Sequence, residues 1–215
     1  MANAAHVESG TRDKILDAAE ELFARRGFSG VGMREVAEAA GLGKSSLFHH
    51  FKTKIELYAA VVGRILDAIE DRLLRALAAG GAPLERFDRW IDTLVDALAG
   101  HPSAARLLLR SLFEDDDLSG QSPEERAIEK IIERMFGAAS NLLREGMESG
   151  VFRMASIPHT LQSLVGLTVY HFASGDFGEE LVGQSLFAPL QVRRRKEEIK
   201  ALLHHGLVAA GSAKS

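Results

Sequence analysis

The sequence predicts an all-α protein of about nine helices, with a three-helix N-terminal unit ahead of a larger helical body. Two observations carry this. Leu and Ala dominate, alternating Val/Ile/Thr runs are absent, and only two tyrosines and one tryptophan occur, so the apolar residues recur at helical rather than strand spacing. Four of the five prolines (Pro83, Pro102, Pro123 and Pro158; the fifth is Pro189) stand just before an apolar-periodic segment, where a fixed φ and a missing N–H do least harm.

The elements follow in order. A first helix covers about 9–26, with Ile15, Ala18, Ala19, Leu22 and Phe23 on one face, and Gly27 stops it. Helices over 33–40 and 44–50 flank Gly41, and Thr53 caps a long fourth helix reaching about residue 79 before Gly80-Gly81. Further helices are expected at 83–99, 102–113, 123–149, 158–173 and 192–208. The acidic stretch 114–121 and the glycine-rich 174–191 read as loops, the latter with a short helical turn around 181–187.

Composition limits the functional classes. There are no cysteines, which excludes disulfides, thiol catalysis and Cys-ligated zinc. The first ten residues form no apolar signal region and no run approaches the ~18 apolar residues of a membrane span, so a cytoplasmic protein without membrane contact is expected. A net charge of −4 argues against general coating of nucleic acid but permits a local DNA-reading surface, because salt confines an exposed charge to about 8 Å.

Such a surface is centred on 36–54. Val36, Ala37 and Ala40 put small apolar groups on one face, Gly41 supplies the break, and Leu47 and Phe51 give the next helix an inward stripe. Lys44, Ser45, Ser46, His49 and His50 are left outward. No acidic residue occurs between Glu38 and Glu56, while Lys44, Lys52 and Lys54 lie inside that window. These are the parts of a helix-turn-helix; a solvated basic face on an ordinary bundle is the competing reading.

The opening Ile15–Phe28 (I-L-D-A-A-E-E-L-F-A-R-R-G-F) and the stretch A-G-L-G-K-S-S-L-F-H-H-F-K-T-K-I-E-L-Y resemble the N-terminal DNA-binding region of the TetR family. The resemblance covers roughly the first quarter of the chain. It implies a DNA-binding domain at 1–53, an effector-binding and dimerisation domain at 54–215, and Lys44–Phe51 as the recognition helix. Ser45, Ser46 and His49 are then expected at base edges, and Lys44, His50 and Lys54 at phosphates. Phe48, Thr53 and Arg34 complete the expected DNA-binding set. Three positions depart from the family pattern. Gly32 and Gly43 replace a usual Thr and Ser at helix starts, a loss of only a few tenths of a kcal/mol. Phe48 replaces a usual Tyr, removing a hydroxyl worth about 1 kcal/mol to a phosphate.

The body offers two further sets. Phe87, Trp90, Leu94, Arg106, Leu109, Arg110, Phe113, Phe136 and Tyr170 are candidates for a ligand pocket, with Leu108, Leu112 and Phe172 beside them. Bulky apolar groups at this spacing equally form plain core, and Arg106 and Arg110 form either an anion clamp or a solvated face. Leu161, Leu164, Val165, Thr168, Phe172, Ile199, Leu202, Leu203 and Leu207 offer apolar faces, with Ser163 and Gly166 allowing close approach. They either close a monomer core or form the dimer bundle the resemblance implies. A two-fold dimer would place two recognition helices about one DNA turn apart, on a palindromic operator. The expected partners are therefore double-stranded DNA, a second copy and a small hydrophobic effector that releases a repressor from DNA, with no cofactor and no metal.

Catalysis finds no constellation. His49-His50 and His204-His205 are adjacent pairs, His159 and His171 stand apart, and no His-x-x-x-His, Gly-x-Ser-x-Gly or phosphate loop occurs. The remaining alternative is a helical dimeric interaction module that has lost specific DNA binding.

Overall fold

The computed structural model describes residues 2–113 and 122–209, with side chains described over 10–111 and 122–209. The acidic loop expected at 114–121 lies outside the described residues, as do the side chains of Leu112 and Phe113.

Three helices form the N-terminal unit: α1 (Ala2–Arg26), α2 (Met33–Ala39) and α3 (Lys44–His50). α1 starts earlier than the apolar spacing implied, and Gly27 ends it at φ 73°. The α2–α3 turn closes in a Schellman arrangement. Gly41 adopts φ 69°, its N–H donates to Glu38 O, and Leu42 N–H donates to Ala37 O at 2.8 Å. Ile15, Leu16, Ala19 and Phe23 of α1 close over Val36, Ala37, Leu47 and Phe51.

The same core continues into the body through α4 (Lys54–Ala78), about 37 Å long at 1.5 Å per residue. Leu57 and Tyr58 of α4 are buried with the head, and Phe23 and Phe28 flank the Tyr58 ring at 5.0 and 5.3 Å. Further along, α4 packs on α5 (Pro83–Ala99) and α7 (Pro123–Glu148). α6 (Pro102–Phe113) bridges α1, α4 and α5. Prolines stand at the first position of α5, α6, α7 and the last helix, α11 (Pro189–Leu207), which starts three residues before the expected 192.

Two segments differ from expectation. The helix expected over 158–173 is α8 (Ile157–Val165), then a π-helical turn over Gly166–Tyr170, then a single turn α9 (His171–Ala173). Thr168 Oγ1 donates to Leu164 O at 2.7 Å within this stretch. The glycine-rich stretch contains a helix, α10 (Gly175–Val182), because Gly183 terminates it at φ 75° and Glu179 accepts from Ser185 Oγ and Leu186 N. After it, α11 runs antiparallel to α5 along a ladder of three pairs: Lys196–Asp96 at 2.6 Å, Lys200–Asp92 at 2.9 Å and His204–Asp88 at 2.6 Å.

An ion pair joins α4 to α7, with its carboxylate buried and its guanidinium at the surface. Glu70 is 7% exposed and accepts both Arg134 Nε and Nη2, at 2.6 and 2.7 Å. A carboxylate buried without its partner is the expensive state. Arg134→Met is therefore expected to lower the stability of the chain, whereas Glu70→Gln with Arg134→Met recovers part of that loss. Thermal denaturation of the single and double variants checks it; equal stability of both would mean the pair does not couple the helices.

Candidate nucleic-acid interface and ligand cavity

The solvent face of α3 is what its packing leaves over. Leu47 is fully buried and Phe51 is 2% exposed. That orientation leaves Lys44, Ser45 and His49 exposed and Ser46, Phe48 and His50 half-buried. Phe48 packs against the core, under the Lys44 ammonium at 5.6 Å from the ring centre, and the His49 and His50 rings meet edge to face at 5.4 Å.

Other expected DNA contacts are partly engaged inside the head. Lys54 is half-buried, donates to Phe28 O at 3.0 Å and lies 4.2 Å over the Phe28 ring, so it ties α4 to the turn after α1. Thr53 Oγ1 accepts from Glu56 N at 3.2 Å while Glu56 accepts from Lys52 N at 2.6 Å, which caps α4. Arg34 pairs with Glu38 at 3.0 Å, an exposed contact weak enough to be exchanged. Two residues absent from the expected set also touch α3 or its C-cap. Lys52 Nζ donates to Phe48 O and His49 O, stabilising the end of α3. The Arg12 guanidinium stands 5.2 Å over the Phe51 ring. Its signal in the sequence was weak, since α1 was read only for its apolar face.

A cavity of about 260 Å³ lies in the body. Val62, Leu66, Ile69 and Leu73 of α4 form one wall, Trp90, Leu94 and Leu98 of α5 another, and Ile128, Ile132, Met135 and Phe136 of α7 a third. Leu108 and Ser111 of α6, with Val165, Thr168 and Val169 around the π turn, close it. The expected pocket residues Trp90, Leu94 and Phe136 are brought together here. Phe87 is not: it is buried against Phe152, ring centres 5.4 Å apart. Arg106, Leu109, Arg110 and Tyr170 are not either. They line a separate open groove with Ala173, Ser174, Gly175, Asp176 and Phe177. The helix explains the split, because Arg106 and Arg110 each lie two residues from Leu108 and so about 200° around the axis from it.

The expected dimer faces are largely consumed within the chain. Leu161, Leu164, Thr168, Phe172, Ile199 and Leu207 are buried, and Val165 and Leu203 are half-buried. The Phe172 and Phe187 rings meet at a tilt, with centres 5.4 Å apart. Leu202, 59% exposed, remains available, as does the exposed row Gln162, Gly166 and Tyr170. Behind that row, burial and then the charge of Arg195 push His171 down to about 4, so its ring is neutral near pH 7.

Two family models account for most of this architecture. Residues 15–61 match "Bacterial regulatory proteins, tetR family", and 83–202 match "Tetracyclin repressor-like, C-terminal domain", the second alone spanning more than half of the chain. The chain belongs to the TetR family.

Among TetR-family relatives, the chain is 30% identical over 129 residues to the HTH-type transcriptional repressor KstR of Mycolicibacterium smegmatis, covering 60% of this chain and 62% of KstR. It thus spans less than two thirds of the length of the KstR repressors. The HTH-type transcriptional regulator RutR of Escherichia coli is 26% identical over 208 residues, 93% of this chain and 91% of RutR. Among solved TetR-family folds, KstR2 of Mycobacterium tuberculosis superposes with a TM-score of 0.75 at 22% identity, covering 93% of this chain and 95% of that one. AibR, in complex with isovaleryl coenzyme A and operator DNA, superposes at 0.72 and 18% identity, covering 89% and 97%. These relatives are regulators rather than enzymes. Among the described residues no group of three or more His, Asp or Glu side chains is placed to hold a metal ion, and no helix is long and apolar enough to cross a membrane.

Proposed function

We propose that this TetR-family chain is a dimeric, sequence-specific DNA-binding repressor, with residues 1–53 reading a palindromic operator and residues 54–215 pairing two copies and binding an apolar effector that releases the DNA. The observation that carries the reading is α3: a short helix held by Leu47 and Phe51, presenting Lys44, Ser45 and His49 to solvent in a window without an acidic residue. Ser45, Ser46 and His49 are assigned to the groove. Lys44, His50, Thr53, Lys54 and the exchangeable Arg34 are assigned to phosphates, with Phe48 as a packing surface beneath them.

The body supports a route from cavity to head. Leu66, Ile69 and Leu73 face the cavity on the helix whose first turn is packed into the head. A polar junction adds a second link: Glu20 of α1 accepts Arg64 of α4 at 2.7 Å and Ser103 of α6 at 2.5 Å. A ligand that moves α4 against α6 therefore pulls on α1 through one carboxylate. That KstR is named a repressor and AibR was solved with both an acyl-coenzyme A and operator DNA agrees with this scheme.

A gel-shift titration against DNA upstream of the protein's own gene, over a salt series, tests the reading. A discrete palindromic site is expected, with affinity falling steeply with salt. Lys44→Ala with His49→Ala is expected to weaken it by about 10–100-fold, the loss of one phosphate and one groove contact, without changing the dimer in sedimentation. A folded dimer that shows no discrete site at any salt would replace this reading by the interaction module.

A further inference from the structure

Among the described residues, the cavity in the body has a wall without a formal charge. Its two hydroxyl groups are both occupied as donors: Ser111 Oγ donates to Leu108 O at 2.9 Å, and Thr168 Oγ1 to Leu164 O at 2.7 Å. What they still offer a guest is acceptor lone pairs. Glu70 of α4 is engaged by Arg134, and the arginines of α6 face the separate groove on the other side of that helix. An anion entering this cavity would leave water and meet no cation among the described lining residues, the indole N–H of Trp90 being the one donor the wall has left.

From this we infer that the cavity receives an uncharged, largely aliphatic molecule carrying at most a single hydrogen-bond donor, such as an alcohol, and rejects the carboxylate of the same size. The volume, about 260 Å³, sets the scale: a cavity of about 150 Å³ takes one benzene ring, so this one takes about ten non-hydrogen atoms. The hydroxyl of such a guest donates to Ser111 or Thr168 without disturbing either helix bond. The inference rests on the effector reading above only in calling this molecule an effector; the ligand class follows from the wall.

The chain's one tryptophan, Trp90, lines the cavity and is 7% exposed, which supplies a direct probe. Purified full-length protein at pH 7.5 is titrated with 1-nonanol and with octanoate, probes of equal size, following Trp90 fluorescence. Nonanol is expected to bind saturably, and octanoate at least about a hundredfold more weakly. Val169→Phe, which fills the space from the π turn, is expected to abolish the nonanol signal, and Ile128→Phe does the same from α7 should the first variant fail to fold. Octanoate binding within tenfold of nonanol would overturn the inference, as would nonanol binding that survives both fillings or no binding of either probe. Operator affinity is measured in parallel: nonanol that occupies the cavity and leaves DNA binding unchanged defeats the effector reading while the ligand class stands.

Discussion

Replacing Phe23 by alanine is expected to lower stability by about 3–5 kcal/mol, the usual range for a fully buried Phe reduced to Ala. Phe23 is 0% exposed, and its ring contacts Tyr58 edge to face at 5.0 Å and Phe28 at 6.3 Å. This cluster joins head to body: Phe28 also carries Lys54 on its ring and its carbonyl, and Tyr58 belongs to α4. The melting temperature should fall on the order of 10 °C for a chain of this size. Operator affinity should fall at least tenfold at a temperature where the body is still folded, because α1 no longer seats α3 against the start of α4. The Trp90 signal from the cavity, at the far side of α4, should persist. A shift of only a degree or two would mean that the ring cluster is not what couples the two parts.

Gly146→Ala on α7 should also destabilise the chain, although alanine is the better helix former. A Cβ at Gly146 would sit 2.0 Å from Cδ2 of Phe152, which is itself 2% exposed and packed on Phe87. The ring cannot retreat without displacing Phe87 or breaking the bond from Phe152 N to Gly146 O at 2.8 Å. Overpacking of this kind costs about 1–3 kcal/mol, more than the roughly 1 kcal/mol gained in helix propensity. Gly137 on the same helix provides the opposite sign. It is exposed and a Cβ there meets nothing within 4 Å, so Gly137→Ala should stabilise by up to about 1 kcal/mol. Calorimetry of the two variants decides it. Equal shifts in the same direction would show that propensity rather than the Phe152 contact governs α7.

The head was legible in detail because its signals are local. Gly27 and Gly41 stop helices by the φ each can adopt, Thr53 caps α4 with its own side chain, and Leu47 and Phe51 point inward by helical spacing alone. Lys54 shows the converse, a contact that the sequence did not announce. Its contact is with Phe28, twenty-six positions earlier, and no local rule places a lysine on that ring. The separation of Arg106 and Arg110 from the cavity was readable, since the helical angle between them and Leu108 follows from numbering; the apolar richness of α6 masked it. α10 was read as a loop because glycine is a poor helix former, and its stabilising contacts from Ser185 and Leu186 lie beyond its own end.

The sequence by itself determined the all-helical class, the order of the elements through α7 and the orientation of α3, because each depends on propensity, capping and periodicity within a few residues. Only the tertiary structure decided which apolar residues enclose the cavity and which are plain core. Trp90 and Phe87 stand three apart on α5, yet one faces the cavity and the other Phe152, because the neighbour each meets is set by how α5 crosses α4 and α7. The same holds for Leu164, Phe172 and Ile199, whose faces look free along the chain and are closed by helices distant in sequence. Apolar burial is non-directional, so periodicity says that a face will be covered, and only packing says by what.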